Sequence, residues 1–184
     1  TQVDIEMAFA RPDTVFALIE PLMRDVMAVI GREVPTPFRR IPYPEAIARY
    51  GSDKPDLRCG MEINDLSALF AGTAFQPFRE ALESGGAVRG LAVAGGARYS
   101  RKQLDRLGEQ AKETGARMLV WARSGPDGLK SSALKALGEE AVRQALAAAG
   151  AGEGDLLLMA AGEPDAVSKA LGQLRLAVAR EEGL

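Results

Sequence analysis

Histidine is absent from this sequence, and cysteine occurs once, as Cys59. Without histidine the chain cannot form a serine or cysteine triad with an imidazole base, a His-ligated zinc site or a histidine proton shuttle. A single cysteine excludes an internal disulfide and a Cys-x-x-Cys site, and no activating partner stands beside it, so we interpret Cys59 as an inert thiol. No apolar run is as long as the roughly 18 residues of a transmembrane helix, which predicts that no segment spans a membrane.

An excess of charge of one sign is also missing. The 184 residues include 23 Lys and Arg against 25 Asp and Glu, a net charge of −2. This balance gives no general attraction to nucleic acid, so an RNA contact would need a local basic patch. With 47% apolar residues the composition is that of a globular protein, and the length suits one domain or one domain and an appendage.

Signals at the start of the chain and for phosphate binding are lacking as well. There is no initiator methionine, and acidic residues interrupt the first 13 residues without a preceding basic region, so they do not form a signal peptide. We therefore expect that the chain was cut from a longer protein. The glycine pairs at 85–86 and 95–96 fit neither GxxxxGK[ST] nor a GxGxxG between a strand and a helix, and we interpret them as turns.

What is present begins with an alternating segment. Polar and apolar residues alternate over 1–9, which predicts a strand with one buried and one polar face. The polar face carries an amide and two carboxylates, spaced by about 6.5–7 Å: Gln2, Asp4 and Glu6. Such a row suits an ammonium group, a metal or another polar ligand. A solvated strand face explains it equally well.

Apolar residues at helical spacing predict long helices over 12–30 and 164–182. Pro21 lies inside the first of these and predicts a kink or a break there. Between them, residues 32–58 are rich in proline and locally basic, which favours a solvated linker with a short helix from Pro44 to Tyr50.

The remaining part of the chain, residues 60–162, alternates short strands and helices. Because no regular strand–helix–strand spacing connects them, the pattern favours an α+β fold. Ser100 and Gln103 have the spacing of a capping box, so we interpret Ser100 as a helix cap rather than a nucleophile. Strands are predicted at 61–66, 87–93, 117–122 and 155–161, helices at 67–73, 100–114, 130–137 and 139–149, and an extended piece at 74–78.

Several segments resemble bacterial-type aspartyl-tRNA synthetase, a class II family. They are TQVDIEMAF at 1–9, which resembles the second strand of motif 2, RYGSDKPDLR at 49–58, and LGQLRLAVAREEGL at 171–184. The stretch VRGLAVAGGARYSRKQLDRL at 88–107 is similar to the GAD domain inserted in the bacterial enzyme, which also occurs in some amidotransferase subunits.

The resemblance implies a fragment of an aspartate–tRNA ligase. Residues 1–58 would be part of the antiparallel catalytic sheet, 59–162 the inserted α+β GAD domain, a small sheet with helices on one face, and 163–184 a returning helix of the catalytic core. The family activates aspartate with ATP and Mg²⁺ and transfers it to tRNA. The resemblance further implies a homodimeric, cytoplasmic parent enzyme. Because the motif 2 and motif 3 arginines are absent, we expect no catalytic residue here and an inactive isolated chain.

The resemblance also assigns candidate binding residues. Asp4 matches the carboxylate that receives the substrate α-ammonium, Gln2 lies where a polar contact to the aspartyl group is expected, and Glu6 shares their face. Candidate tRNA contacts are Arg101, Lys102 and Lys135, although a capped helix with solvated basic side chains also explains them. No metal ligand is assigned.

An alternative interpretation is a stand-alone GAD module that binds tRNA or a protein partner without catalysis. The flanking segments distinguish the two interpretations, since an isolated module has no use for synthetase-like ends.

Overall fold

The computed structural model describes residues 2–183, and their contacts form two compact units that divide between Ile41 and Pro42. The first unit holds helix α1, Pro12–Val29, after a segment without regular secondary structure. The strand predicted over 1–9 is therefore wrong for residues 2–9; Thr1 lies outside the described residues. A strand needs a partner for its backbone groups, and the described strands all pair with one another elsewhere.

Helix α1 begins with Pro12 in its first turn, where a missing N–H costs nothing. The helix continues through Pro21, so the predicted break is absent. Pro21 and Ala17, whose carbonyl it leaves without a donor, are both exposed. Water can therefore satisfy that carbonyl.

The second unit is built on a five-stranded sheet in the order β1-β2-β5-β3-β4, with every neighbouring pair antiparallel. The strands are β1 Ile63–Asp65, β2 Ala87–Val93, β3 Leu119–Gly125, β4 Gly128–Ser131 and β5 Leu156–Gly162. The helices are α2 Tyr43–Tyr50, α3 Gln76–Glu83, α4 Arg101–Glu113, α5 Leu134–Leu137, α6 Glu139–Ala148 and α7 Pro164–Glu182, with a 3₁₀ turn at Gly96–Arg98.

The central strand β5 is apolar on both faces, which decides how the helices pack. Leu156, Leu158 and Ala160 join a buried cluster with α4 and α7. Leu157 and Met159 join a second cluster with α3 and α6 on the other face. The predicted α+β class is confirmed, but the helices cover both faces of the sheet rather than one, because a strand that is apolar on both sides requires burial on both.

Local signals explain where the element predictions hold and where they fail. The Ser100 capping box is formed, with each side chain bonded to the other residue's backbone N–H. The helix predicted at 67–73 is a series of turns, and the extended piece at 74–78 is wrong because Pro77 lies in the first turn of α3. The helix predicted at 130–137 begins only at Leu134, since residues 128–131 complete a hairpin with β3.

The boundaries predicted at 58/59 and 162/163 refer to a complete enzyme and stay a prediction. Within residues 2–183, no helix combines the length and apolar character needed to cross a membrane.

Candidate functional site

Helices α2 and α7 cross so closely that two glycines are required at the crossing. Gly51 ends α2 in the left-handed conformation, with φ of 69°. A Cβ at Gly51 would overlap the backbone carbonyl of Ser168, and a Cβ at Gly172 would overlap the carbonyl of Tyr50. The segment after Gly51, the loop 52–60, therefore leaves α2 directly beside α7.

A buried arginine of α7 bonds to the middle of this loop and to the residue that follows it. Arg175 is only 1% exposed. Its Nε donates a hydrogen bond to the carbonyl of Met61, and its Nη2 donates to the carbonyl of Asp56. Its guanidinium carbon lies 5.2 Å from the centroid of the Tyr50 ring. Arg175 thus joins the end of α2, the loop and the start of β1.

A second arginine, on α2, also connects the end of this helix to the segment before β1. Arg49 Nη2 donates to Glu62 Oε1 at 2.6 Å and its Nε donates to Glu62 Oε2 at 3.0 Å, while Nη1 pairs with Glu45. Tyr50 also donates to Glu62 Oε1, at 3.1 Å. Hydrogen bonds to Glu62 and then Glu45 raise the pKa of Arg49, so this cation stays charged.

Within the loop, Asp56 and Arg58 form a local pair. Arg58 Nη2 donates to Asp56 Oδ2 at 2.5 Å, and the Arg58 backbone N–H donates to Asp56 Oδ1 at 3.0 Å. The side-chain bond from Arg58, followed by the backbone bond, lowers the pKa of Asp56, so the carboxylate is ionised at neutral pH. Cys59 is buried, with its thiol donating to the Asp56 carbonyl at 3.4 Å.

The residues predicted to bind aspartate lie in the first unit. Gln2, Asp4 and Glu6 are all exposed, and Gln2 Nε2 donates to Asp4 Oδ1 at 2.6 Å. The amide and the first carboxylate are therefore adjacent. Because residues 2–9 form no strand, Gln2, Asp4 and Glu6 are not aligned on one strand face. Their role in binding aspartate stays a prediction.

The predicted tRNA contacts are not brought together. Arg101 and Lys102 begin α4, whose apolar side packs on one face of the sheet, whereas Lys135 lies in α5, which borders the cluster on the other face. Arg101 also pairs with Asp105 at 2.9 Å. These three residues consequently do not form one basic patch.

A cleft of about 530 Å³ opens beside the start of α7, with α3 and the end of β5 among its walls. Glu163 lines it and accepts hydrogen bonds from the backbone N–H groups of Asp165 and Ala166 at 3.2 and 2.8 Å. These bonds, with Ala166 the stronger contributor, lower the pKa of Glu163. An ionised carboxylate already occupies this helix start, which disfavours an anionic ligand there.

No group of three or more acidic, histidine or cysteine side chains within residues 2–183 could hold a metal ion.

Sequence reasoning missed Arg175. A signal was present, because Arg175 lies four residues after Leu171 and three before Val178, on the apolar stripe of α7. A cation at an apolar stripe position indicates a buried, hydrogen-bonded role.

The second unit is an α+β domain, with an antiparallel five-stranded sheet covered by helices on both faces. A GAD domain profile matches residues 78–171, about half of the chain. The chain belongs to the GAD domain family.

Comparison with curated proteins extends the similarity beyond that domain. A protein of Clostridium perfringens named aspartate–tRNA ligase is 44% identical over 182 residues, covering 98% of this chain and 30% of its own length. Proteins named aspartate–tRNA(Asp/Asn) ligase from Syntrophomonas wolfei and Halothermothrix orenii are 40% and 43% identical over the whole chain, which covers 32% and 31% of them. The chain thus spans about a third of the length of these relatives.

Proposed function

We propose that this chain is part of an aspartate–tRNA ligase, to which it contributes a GAD domain, the arginine-held loop 52–60 and part of the aspartate site. One observation carries the proposal: the similarity to ligases covers 98% of the chain or more, so it includes both flanks as well as residues 78–171. A stand-alone GAD module would not need the similarity in residues 1–58 and 163–184.

In the proposed enzyme, aspartate reacts with ATP to form an aspartyl-adenylate, and the aspartyl group then passes to tRNA. The motif 2 and motif 3 arginines, which this chain lacks, would contact the ATP phosphates, and Mg²⁺ would accompany the ATP. We propose a homodimeric, cytoplasmic enzyme, as the family resemblance implies.

Asp4 is the group that we assign to the α-ammonium of aspartate. A carboxylate that faces an ammonium group forms a charge-assisted hydrogen bond, which is stronger than a neutral one. The Gln2 amide donates to Asp4 Oδ1. Asp4 Oδ2 and the second lone pair of Oδ1 can both accept from the ammonium. Glu6, two residues further along an exposed segment, adds a second carboxylate to the same region.

The structure gives less support to the candidate tRNA contacts, because these basic residues do not form one patch. Arg101 and Lys102 at the start of α4 remain candidate contacts to tRNA, with Lys135 as a separate contact from α5.

A chimeric ligase tests the function. This chain replaces the matching 182 residues of the Clostridium perfringens enzyme, and aspartate-dependent ATP–pyrophosphate exchange is measured. We expect exchange well above background for the chimera and background exchange for the 184-residue chain alone. A folded chimera that binds tRNA but does not activate aspartate would contradict the proposal and favour the stand-alone binding module.

A further inference from the structure

The loop 52–60 is largely exposed, yet its backbone is hydrogen-bonded to a buried arginine. Arg175, a cation that is 1% exposed, bonds to the carbonyl of Asp56 in the middle of the loop and to that of Met61 just after it. Removing a guanidinium from water is costly, and an apolar side chain would suit the stripe of α7 at this position. In return, the arginine restrains the distance between the carbonyls of Asp56 and Met61, and so restrains the second half of the loop.

The near end of the loop is equally constrained. Gly51 is wedged against the Ser168 carbonyl, and Pro55 restricts the backbone between the two held ends. The Ser52 hydroxyl accepts a hydrogen bond from the Lys54 backbone N–H at 3.0 Å. Exposed loops on a rigid base are where binding groups are concentrated.

Lys54 is the cation that this loop presents to solvent without a carboxylate partner among residues 2–183. It is exposed, and its ammonium forms no ion pair with a carboxylate of residues 2–183, whereas the other cation of the loop, Arg58, is tied to Asp56. A lysine ammonium is a compact point charge that suits a phosphate group.

We propose that Lys54 binds a phosphate group of a nucleotide substrate and that Arg175 is the positioning residue that holds Lys54 in place. The inference rests on the proposed function, because both nucleotide substrates of the ligase, ATP and tRNA, supply phosphate groups. The chemistry is the same for either source, and kinetics separate the two.

Lys54→Met in the chimeric ligase is the first test. KM for ATP is measured by pyrophosphate exchange and KM for tRNA by aminoacylation. Loss of a charge-assisted contact should raise one of these constants about tenfold, and Lys54→Arg should recover most of the loss. Lys169→Met is the matched control, since Lys169 is also exposed and forms no ion pair within the described chain, and we expect it to leave both constants unchanged.

Coupling between the two residues is the second test. Arg175→Met should raise the same KM, and adding Lys54→Met to it should have little further effect, because the lysine is already displaced. A purely structural arginine would give additive changes. If Arg175→Met does not fold, Arg175→Lys keeps the charge and loses the two-carbonyl geometry, and the same coupling is measured with it.

Amide hydrogen exchange on the 184-residue chain supplies a readout independent of ligase activity. Arg175→Lys should speed exchange of the amides in 52–60, whereas Lys54→Met should not. An inactive wild-type chimera would overturn the proposed function and this inference together. An active chimera in which Lys54→Met leaves both KM values unchanged, or in which the two residues act additively, would overturn this inference alone.

Discussion

The two compact units carry the same kind of sequence pattern and bury it very differently. Helix α1 has an apolar stripe, yet none of its residues is buried, and Val29 is 86% exposed. Helix α7 has a similar stripe and buries nine residues, among them an arginine. A stripe at helical spacing is sufficient to predict a helix, but burial depends on what the surrounding elements supply.

The sharpest way to test this contrast is a matched pair of truncations. Leu158→Ala in β5 removes a fully buried side chain at the centre of the sheet and should lower the free energy of unfolding by about 2–5 kcal/mol. Val26→Ala, at a 51% exposed position of α1, should change it by less than about 0.5 kcal/mol. Urea denaturation of the 184-residue chain measures both. Equal losses of unfolding free energy would show that Val26 is buried to the same extent as Leu158.

Alanine substitutions at two glycines with similar φ angles can distinguish the cost of close helix packing from the cost of backbone strain. Gly31 and Gly51 have φ of 71° and 69°, but only Gly51 faces another backbone. Gly31→Ala should cost about 1 kcal/mol, the low end for an alanine in this conformation. Gly51→Ala should cost about 1–3 kcal/mol more, because α2 and α7 must separate. Thermal unfolding measures the difference, and equal costs would remove the crossing as its cause.

Asp4→Asn should have the opposite kind of effect, a loss of activity without a loss of stability, since it alters an exposed residue of the first unit. In the chimeric ligase it should lower kcat/KM for aspartate about ten- to hundred-fold while leaving the melting temperature unchanged. The KM for ATP should change far less. Near-normal exchange would return Asp4 to a solvated position, and a large loss of stability would make its role structural.

The smallest expected effect concerns a buried tyrosine and alkaline pH. Burial, and then the hydrogen bond that Tyr99 donates to Glu182, raise the pKa of Tyr99 to about 12. A group with a raised pKa stabilises the fold fully below its unfolded value, about pH 10, and that stability is lost as the pH rises toward 12. Tyr99→Phe should flatten this part of the stability profile. Tyr43→Phe, at a 63% exposed position, should leave the profile as it is in the wild type.

Elements set by local pattern could be predicted from the sequence. Strand β2 and helix α7 have the predicted bounds, and the Ser100 cap is formed, because neighbouring residues determine each of them. Strand β4 was missed, since its four residues are a strand only through pairing with β3.

The candidate site shows the same limit. The segment 49–58 stands out in the sequence, but the contacts that hold it join Arg175 to residues 114 and 119 positions earlier. Periodicity and spacing reach over one helix or strand and contain no information on contacts at that separation. The placement of Lys54 on a held loop could therefore be found only from the fold.

The position of β5 also determines the order in which this domain can assemble. It is the last strand of the sheet along the chain and the middle one in space, between β2 and β3. During synthesis the pairs β1–β2 and β3–β4 can form early from nearby residues. Among residues 2–183, the strand that pairs with both β2 and β3 is β5, and it is made only when residues 156–162 have left the ribosome. Such late, long-range pairing slows folding and leaves two apolar half-sheets unpaired while translation continues. Cooperative folding of the domain therefore waits for almost its entire length.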